Sequence, residues 1–469
     1  MRIGRSSARP GSGCVTGCLV RLMIVLIVAG LTGLIAAGVI LSRRDLIAID
    51  LIPRRVVSGP AVVLPPGPDQ PPDLLVLTSE EGETNYTLSY LDSTGQDIRW
   101  NGPPLGQSGQ RAQVALGDGL AYVAGPQPEL IALRLDDGAR AWDAELMDGI
   151  APQCQDCLRV VDGSVLALAG DTLHAFDALT GEPRWQRALN MAPNALLLLD
   201  DRLAVLDRHT LGGVLALNLY HPANGALLRR ITPRCESGGT LEALSLGSPI
   251  LYDPASASIY FLFGYAAQGC AQRWDLRTGT LVWETQIDPQ DGAWSQAWYD
   301  SRPLLAGDTI YFAGDEPGLL AALDTRSGKF RHLVAIPGYR FQPLAVESDI
   351  LIVRVVRLDG TGQDELWGLD RRTGKSRWRY VLSGSTDSWV AHPTPGGFMT
   401  VQVLPAPDRI LVDLLNPANG HRLRRTATPV SSAYWSGTAW SADTAWLTIR
   451  DLYAVDLTSG EAALFWPEP

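Results

Sequence analysis

A glycine-centred phrase, Asp-x-x-Thr/Ser-Gly, recurs along this chain and constrains its fold more than any other feature. The clearest copies carry a tryptophan four residues after the glycine and span Asp177–Trp185, Asp275–Trp283 and Asp370–Trp378. The weaker copies centre on Gly95, Gly138, Gly225, Gly328, Gly420 and Gly460. Successive glycines lie 43, 43, 44, 54, 49, 46, 46 and 40 residues apart. This period, with strand-like sequence in each unit, predicts small four-stranded sheets repeated around an axis, which is a β-propeller.

Each phrase is typical of a tight β-hairpin. The segment Leu173–Asp177 alternates as a half-buried strand does, and the glycine supplies the positive φ that closes the turn. The aspartate carboxylate can accept hydrogen bonds from backbone N–H groups two or three residues later. We therefore interpret Asp177, Asp275 and Asp370 as structural turn caps rather than catalytic carboxylates. The tryptophan that follows is expected to fill the gap between adjacent sheets while its N–H finds a carbonyl.

The predicted fold class is all-β, an eight-bladed propeller of four-stranded antiparallel sheets, with seven to nine blades allowed by the nine signatures. Eight blades require the first signature, at Gly95, or the last, at Gly460, to complete a shared sheet where the ring closes. Closure by strands from both termini would remove the open edges of a linear array.

Composition excludes two classes of protein. Hydrophobic residues make up 46% of the 469 residues and charged residues 19%, which excludes general disorder. The chain has 39 Lys and Arg against 50 Asp and Glu, and no basic tract is interleaved with aromatic residues. Nucleic acid is therefore not expected as a partner.

The N-terminal region differs from the repeats. Leu22–Leu41 is an uncharged apolar run of about the length that spans a bilayer as a helix. A cleaved signal is the alternative, but its apolar region is usually shorter and ends in a small-residue cleavage site. We expect a cytoplasmic segment 1–21, a transmembrane signal-anchor 22–42, a linker 43–59 and a propeller 60–469. Arginines flank the run equally, so orientation rests on the short N-terminal segment, which favours a propeller on the extracytoplasmic side of the cell membrane.

The six cysteines form three pairs by position. Cys14 and Cys18 lie beside the apolar run. Cys154 and Cys157 could close a short disulfide loop or supply half of a metal site, but no second Cys-x-x-Cys or paired His follows. Cys235 and Cys270 bracket the longest repeat, where a disulfide would staple an insert in an oxidising compartment. We favour structural disulfides for both of the later pairs.

The alternating strand, the Asp-x-x-Thr-Gly turn and the following tryptophan resemble the pyrroloquinoline-quinone-type repeat over most of residues 60–469. The resemblance implies a propeller fold and leaves two functions open. One branch contains quinone-dependent alcohol and glucose dehydrogenases. The other contains binding scaffolds without a cofactor, among them the propeller lipoprotein of the bacterial outer-membrane barrel-assembly machinery.

The sequence departs from the enzyme branch. The dehydrogenases stack their quinone on a disulfide between adjacent cysteines and hold calcium with Glu, Asn and Asp, and neither set is found here. No Gly-x-Ser-x-Gly elbow, phosphate loop or His-Glu-x-x-His pair occurs. The histidines are scattered, at positions 174, 209, 221, 332, 392 and 421. We expect no cofactor, no metal and no catalytic residue, with a quinone-dependent or sugar-acting enzyme as the alternative.

Aromatic residues are enriched where the chain crosses from one repeat to the next. We expect the side chains of Trp294, Trp298, Tyr339, Phe341, Trp389 and Trp435 to form a partly exposed face opposite the Asp-x-x-Thr-Gly turns. Exposed Trp and Tyr on one face are typical of recognition surfaces. The sequence therefore favours a non-catalytic scaffold, held to the membrane by one helix, that binds a protein or peptide partner in the cell envelope.

Overall fold

In a computed structural model, the described residues are 55–466 without 65–71, 81–84, 94–96, 106–111, 152–153, 155, 190–195, 209–214, 234–249, 266–267, 288–302, 315–317, 361–362, 384–388, 406–407, 431–436 and 450. These residues form nine antiparallel sheets, each of four strands that are consecutive in sequence. Sheets one to three are β1–β4 (Arg55–Val63, Leu74–Glu80, Tyr86–Leu91, Ile98–Asn101), β5–β8 (Gln113–Gly117, Leu120–Ala124, Glu129–Arg134, Arg140–Glu145) and β9–β12 (Leu158–Val161, Ser164–Ala169, Thr172–Asp177, Pro183–Ala188). Sheets four to six are β13–β16 (Leu196–Leu199, Arg202–Arg208, Leu215–Tyr220, Leu227–Ile231), β17–β20 (Leu251–Asp253, Ser258–Tyr265, Gln268–Asp275, Thr280–Ile287) and β21–β24 (Leu304–Ala306, Thr309–Gly314, Leu319–Asp324, Phe330–Ala335). Sheets seven to nine are β25–β28 (Tyr339–Glu347, Ile350–Arg357, Glu365–Asp370, Ser376–Val381), β29–β32 (Trp389–Thr394, Gly397–Pro405, Asp408–Leu415, Arg422–Pro429) and β33–β36 (Gly437–Trp440, Thr444–Ile449, Asp451–Asp456, Ala462–Trp466).

The two middle strands of a sheet are buried on both faces. In the third sheet, every residue of β10 is buried, and so are Leu173, His174, Ala175 and Phe176 of β11. The expectation that Leu173–Asp177 would be half-buried is therefore wrong. A strand covered by a neighbouring sheet on each face buries both sets of side chains, and apolar runs replace strict alternation.

Apolar side chains pack each sheet against the next around the whole ring. Between the ninth and first sheets, Trp446, Leu452 and Trp466 form one core with Leu74 and Val76. The first strands of neighbouring sheets contact one another, as β5 and β9 do, and are half-buried along their length. The fourth strands, such as β12, are largely exposed. The first strands therefore form the inner edge of the propeller and the fourth strands its outer edge.

The number of blades differs from the prediction. The structure has nine sheets rather than eight, and neither the first nor the last is shared. The reason is β1, which begins at Arg55 and supplies the first sheet with its own inner strand. Residues 55–59 of this strand lie in the segment that the sequence assigned to the linker. The ring closes by side-chain packing between complete sheets, so each of the nine signatures belongs to a separate blade.

The expected membrane anchor, 22–42, lies outside the described residues. Within the part of the chain that the structure describes, no helix has the length and apolar character needed to cross a membrane.

Candidate functional site

The turns between the third and fourth strands show why the aspartates recur. Asp177 Oδ1 accepts hydrogen bonds from the backbone N–H groups of Leu179 (3.0 Å) and Thr180 (2.9 Å) and from the Thr180 hydroxyl (3.1 Å). The Arg184 guanidinium, which bonds Asp177 Oδ2, and the Thr180 N–H lower the pKa of this carboxyl to about 2. The corresponding backbone donors are Arg277 and Thr278 for Asp275, and Arg372 and Thr373 for Asp370. These three carboxylates hold the turns together through hydrogen bonds from the backbone N–H groups.

A tryptophan on the fourth strand joins its sheet to the turn of the next. The indole N–H of Trp142 donates to Ala178 O at 2.9 Å, and its ring lies so close to Gly181 that a Cβ there would be 2.6 Å from Trp142 Cδ2. The same carbonyl contact joins Trp100 to Leu135, Trp185 to Pro222, Trp283 to Thr325 and Trp378 to Pro417. The expected packing of these rings between sheets is confirmed. The turn position requires glycine for two reasons, its positive φ and the close approach of the tryptophan ring, which leaves no room for a Cβ.

Three other junctions use arginine instead of tryptophan. Arginine, like the indole N–H, can donate to a backbone carbonyl across the junction. The contacts join Arg229 to Thr278 O, Arg331 to Arg372 O, and Arg424 to the Glu461 carboxylate. We call the end of the propeller that carries the turns between third and fourth strands the turn face. The contacts described above hold neighbouring blades together at this face.

The opposite end of the sheets has a different composition. We call it the crossing face, because each fourth strand there leads to the first strand of the next sheet, and each second strand turns into the third. On the seventh and eighth sheets this face carries Tyr339, Arg354, Arg357, Trp367, Arg379 and Trp389. Two of these residues, Tyr339 and Trp389, belong to the aromatic face that the sequence predicts.

Each of the three aromatic rings of this group lies beneath a guanidinium. Tyr339 and Trp389 are half-buried, whereas the Trp367 ring is buried. A guanidinium over an aromatic face is attracted by the negative face of the ring. The Cζ atoms of Arg357, Arg379 and Arg354 lie 5.9, 3.9 and 4.7 Å from the ring centroids of Tyr339, Trp367 and Trp389.

Two of these arginines also bind carboxylates of their own sheet. Arg354 Nε donates to Asp364 Oδ2 at 2.6 Å in a largely buried pair. Arg357 Nη2 donates to Asp359 Oδ2 at 2.7 Å in an exposed pair. The face is thus built from aromatic rings and planar cations, the residue types that are enriched at protein interfaces.

One residue that the sequence assigns to the aromatic face is not exposed in the structure. Phe341 is fully buried, so the expectation that it would be partly exposed is wrong. It lies on β25 two residues after Tyr339, and its side chain packs into the core between the sixth and seventh sheets with Tyr311 and Leu351. Trp294, Trp298 and Trp435 lie outside the described residues.

A buried ion pair lies between the seventh and eighth sheets. The Asp413 carboxylate is fully buried and accepts from Arg425 Nε at 2.6 Å and Nη2 at 2.9 Å. Arg425 Nη2 also reaches the Tyr380 hydroxyl (3.0 Å) and Ser383 Oγ (2.9 Å) on the neighbouring sheet. Asp413 raises the pKa of Arg425, and burial raises the pKa of Tyr380. The network fixes the two sheets that carry Trp367 and Trp389.

The three cysteines that the structure describes, Cys154, Cys157 and Cys270, are buried. A disulfide joins Cys154 and Cys157, whose Cα atoms are 5.8 Å apart. Gln113 on the second sheet clamps this loop, because its Nε2 donates to Cys154 O at 2.7 Å and its Oε1 accepts from Leu158 N at 3.1 Å. Cys270 is buried and disulfide-bonded, and Cys235, its expected partner, lies outside the described residues.

Among the described residues, no three His, Cys, Asp or Glu side chains form a cluster that could hold a metal ion. His174 is buried in the third sheet, and burial lowers its pKa. Its ring lies parallel to that of Phe176, with centroids 6.0 Å apart, so it belongs to the apolar core.

The fold and repeats define this chain as a β-propeller of the pyrroloquinoline-quinone-like repeat class. The sequence profile of the family described as Outer membrane protein assembly factor BamB matches residues 84–232, 159–380 and 267–445. The chain belongs to this family. No curated protein sequence matches it.

Solved structures of similar fold include both branches of the resemblance. BamB from Moraxella catarrhalis is 17% identical, with 75% of this chain and 94% of that chain covered and a TM-score of 0.45. A europium-containing methanol dehydrogenase is 14% identical, with 76% and 82% covered and a TM-score of 0.46. The computationally designed Ika8 protein is 11% identical, with 85% and 95% covered and a TM-score of 0.43. At these identities the likeness extends to the fold alone.

Proposed function

We propose that this protein is a non-catalytic scaffold in the cell envelope, held to the cell membrane by residues 22–42, with its propeller on the extracytoplasmic side. It binds a protein or peptide partner through the crossing face of its later blades. The observation that carries the proposal is the group of three arginine-covered aromatic rings on the seventh and eighth sheets. The description of its family as an outer membrane protein assembly factor supports a role in envelope protein assembly.

Site-specific photo-crosslinking tests which face binds. Leu358 is 43% exposed in the β26–β27 turn on the crossing face, and Leu179 is 65% exposed on the turn face. A photo-reactive amino acid is placed at one position or the other in the full-length protein, in its own membranes. The proposal predicts a discrete protein adduct from position 358 and none from position 179. Adducts only from position 179, or from neither, would contradict it.

The enzyme alternative is separated by reconstitution. The purified full-length protein is incubated with pyrroloquinoline quinone and calcium and assayed for dye-linked oxidation of alcohols and aldoses. The scaffold proposal predicts no oxidation above that of the protein without quinone. Quinone-dependent turnover would contradict the scaffold proposal and support a dehydrogenase instead.

A further inference from the structure

Arg379 differs from the other two arginines that cover aromatic rings on the crossing face. It is exposed on β28 and pairs across the strands with Trp367 on β27. Trp367 is buried, and its indole N–H donates to Glu365 Oε2 at 2.7 Å, so the ring is held in one orientation. The Arg379 Cζ atom lies 3.9 Å from the centroid of this ring, and a guanidinium that stacks on an aromatic face can still present its N–H edge to a further partner.

The neighbouring arginines show what such an edge binds on this surface. Arg354 and Arg357 each cover a ring and each bind a carboxylate, Asp364 and Asp359 respectively. Arg379 contacts no carboxylate within 4.0 Å among the residues that the structure describes. A planar guanidinium matches a carboxylate in a bidentate arrangement, and its position on the ring means that little side-chain entropy is lost on binding.

The surroundings of Arg379 fit a polypeptide better than a free anion. Leu358 and Val381 are 43% and 51% exposed at the same end of the sheet. β28 is the last strand of its sheet, so one of its backbone edges has no partner strand within the sheet. If an extended segment paired with this edge strand, every second side chain of the segment would lie on the same side of the sheet as Arg379.

We propose that Arg379 is the anchor for an acidic, extended segment of a partner protein, whose carboxylate binds the guanidinium above Trp367 while its neighbouring residues cover Leu358 and Val381. This inference rests on the proposed scaffold function and names the chemistry of the partner.

Binding of a fluorescent oligoglutamate peptide to the full-length protein, measured by anisotropy, tests the inference. An oligoglutamine peptide of equal length is the probe without carboxylates. Arg379→Gln removes the anchor, and Arg379→Lys keeps the charge but loses the planar fork. Arg372→Gln is the matched control, because Arg372 is exposed on the turn face of the same sheet and the charge change is identical.

The inference predicts binding of oligoglutamate but not of oligoglutamine, weakened about tenfold or more by Arg379→Gln, partly by Arg379→Lys, and not by Arg372→Gln. No oligoglutamate binding, an unaffected Arg379→Gln variant, or equal losses from Arg379→Gln and Arg372→Gln would each overturn it. Should Arg379→Gln fail to fold, wild-type affinity in the Arg379→Lys variant would overturn it instead. If position 358 forms a crosslink and any of these results is obtained, the scaffold proposal stands and only the proposal of an acidic partner segment is contradicted.

Discussion

Trp378 donates its indole N–H to the carbonyl oxygen of Pro417 at 2.9 Å, across the junction between the seventh and eighth sheets. Its ring also lies against Gly420, the turn glycine of the eighth sheet. One side chain thereby supplies a hydrogen bond and a packing surface to the next blade. Because the arrangement recurs at five junctions, the residues that identify the repeat are largely residues that hold adjacent blades together.

The contact between Trp142 and Gly181 can be separated from the cost of a positive φ. Gly181 (φ 74°) and Gly119 (φ 76°) share a conformation, but a Cβ on Gly119 would have no atom within 4 Å. We expect Gly119→Ala to cost about 1–2 kcal/mol of unfolding free energy from backbone strain alone. Gly181→Ala should cost more, because Trp142 must also move. Urea unfolding of both variants measures the difference, and equal losses would contradict the proposed contact.

Stability in acid should depend on Asp177. Its pKa is lowered to about 2 in the folded protein from an ordinary value of 3.8. Its contribution is therefore complete above the unfolded value and is lost as the pH falls from about 4 to about 2. Asp177→Asn should lower stability at neutral pH and flatten the pH dependence in this window. Asp201→Asn, at an 86% exposed side chain, makes the same charge change as a control. An unchanged acid profile in Asp177→Asn would contradict the account.

The buried pair between the seventh and eighth sheets should matter more than its exposed neighbour. Arg425→Gln leaves the buried Asp413 carboxylate without its cation. We expect a loss of about 2–3 kcal/mol, below the range for a fully buried pair because the Arg425 side chain is 34% exposed. Arg424→Gln breaks the exposed pair with Glu461 and should cost less than about 1 kcal/mol. Similar losses of unfolding free energy in both variants would contradict the expectation that the buried pair stabilises the fold more than the exposed pair.

Membrane attachment is expected to depend on Leu22–Leu41. After alkaline carbonate extraction the full-length protein should remain in the membrane pellet, because a helix of this length spans the bilayer. Detergent should release it. Mass spectrometry should find a mature N-terminus upstream of the apolar run. A mature N-terminus near Ala37 would instead identify a cleaved signal.

The propeller could be predicted from the sequence because its signal is local. A turn such as Asp177–Gly181 needs a carboxylate and a positive φ within five residues, and both are visible in the sequence. The ninth blade was missed because β1 carries no turn signature and lies in a Pro-containing segment that is typical of a linker. Its role depends on pairing with β2, which no local pattern specifies.

The proposed binding surface could be predicted from the sequence only in part. Tyr339 and Trp389 are half-buried near the crossing end of their sheets, but Phe341 is fully buried, because it lies on the same side of β25 as Tyr339 and two residues deeper in the core between the sixth and seventh sheets. The arginines were missed because Arg354 and Arg379 come from different strands and approach aromatic rings only in the folded register. A charged residue within an otherwise apolar strand is a signal for Arg354 in β26, whereas the polar strand β28 gives no such signal for Arg379.

The central claim, that the crossing face binds a partner while the turn face holds the fold, is tested most directly by comparing Trp389→Ala with Asp370→Ala. Partner recovery by the full-length protein and the Tm are measured for each variant. Trp389→Ala should weaken partner binding by about thirtyfold with little change in Tm, as expected for an aromatic anchor. Asp370→Ala should lower the Tm and leave binding intact, because its carboxylate accepts from Arg372 N and Thr373 N within the turn. If both variants change only the Tm, the crossing face is not the binding surface.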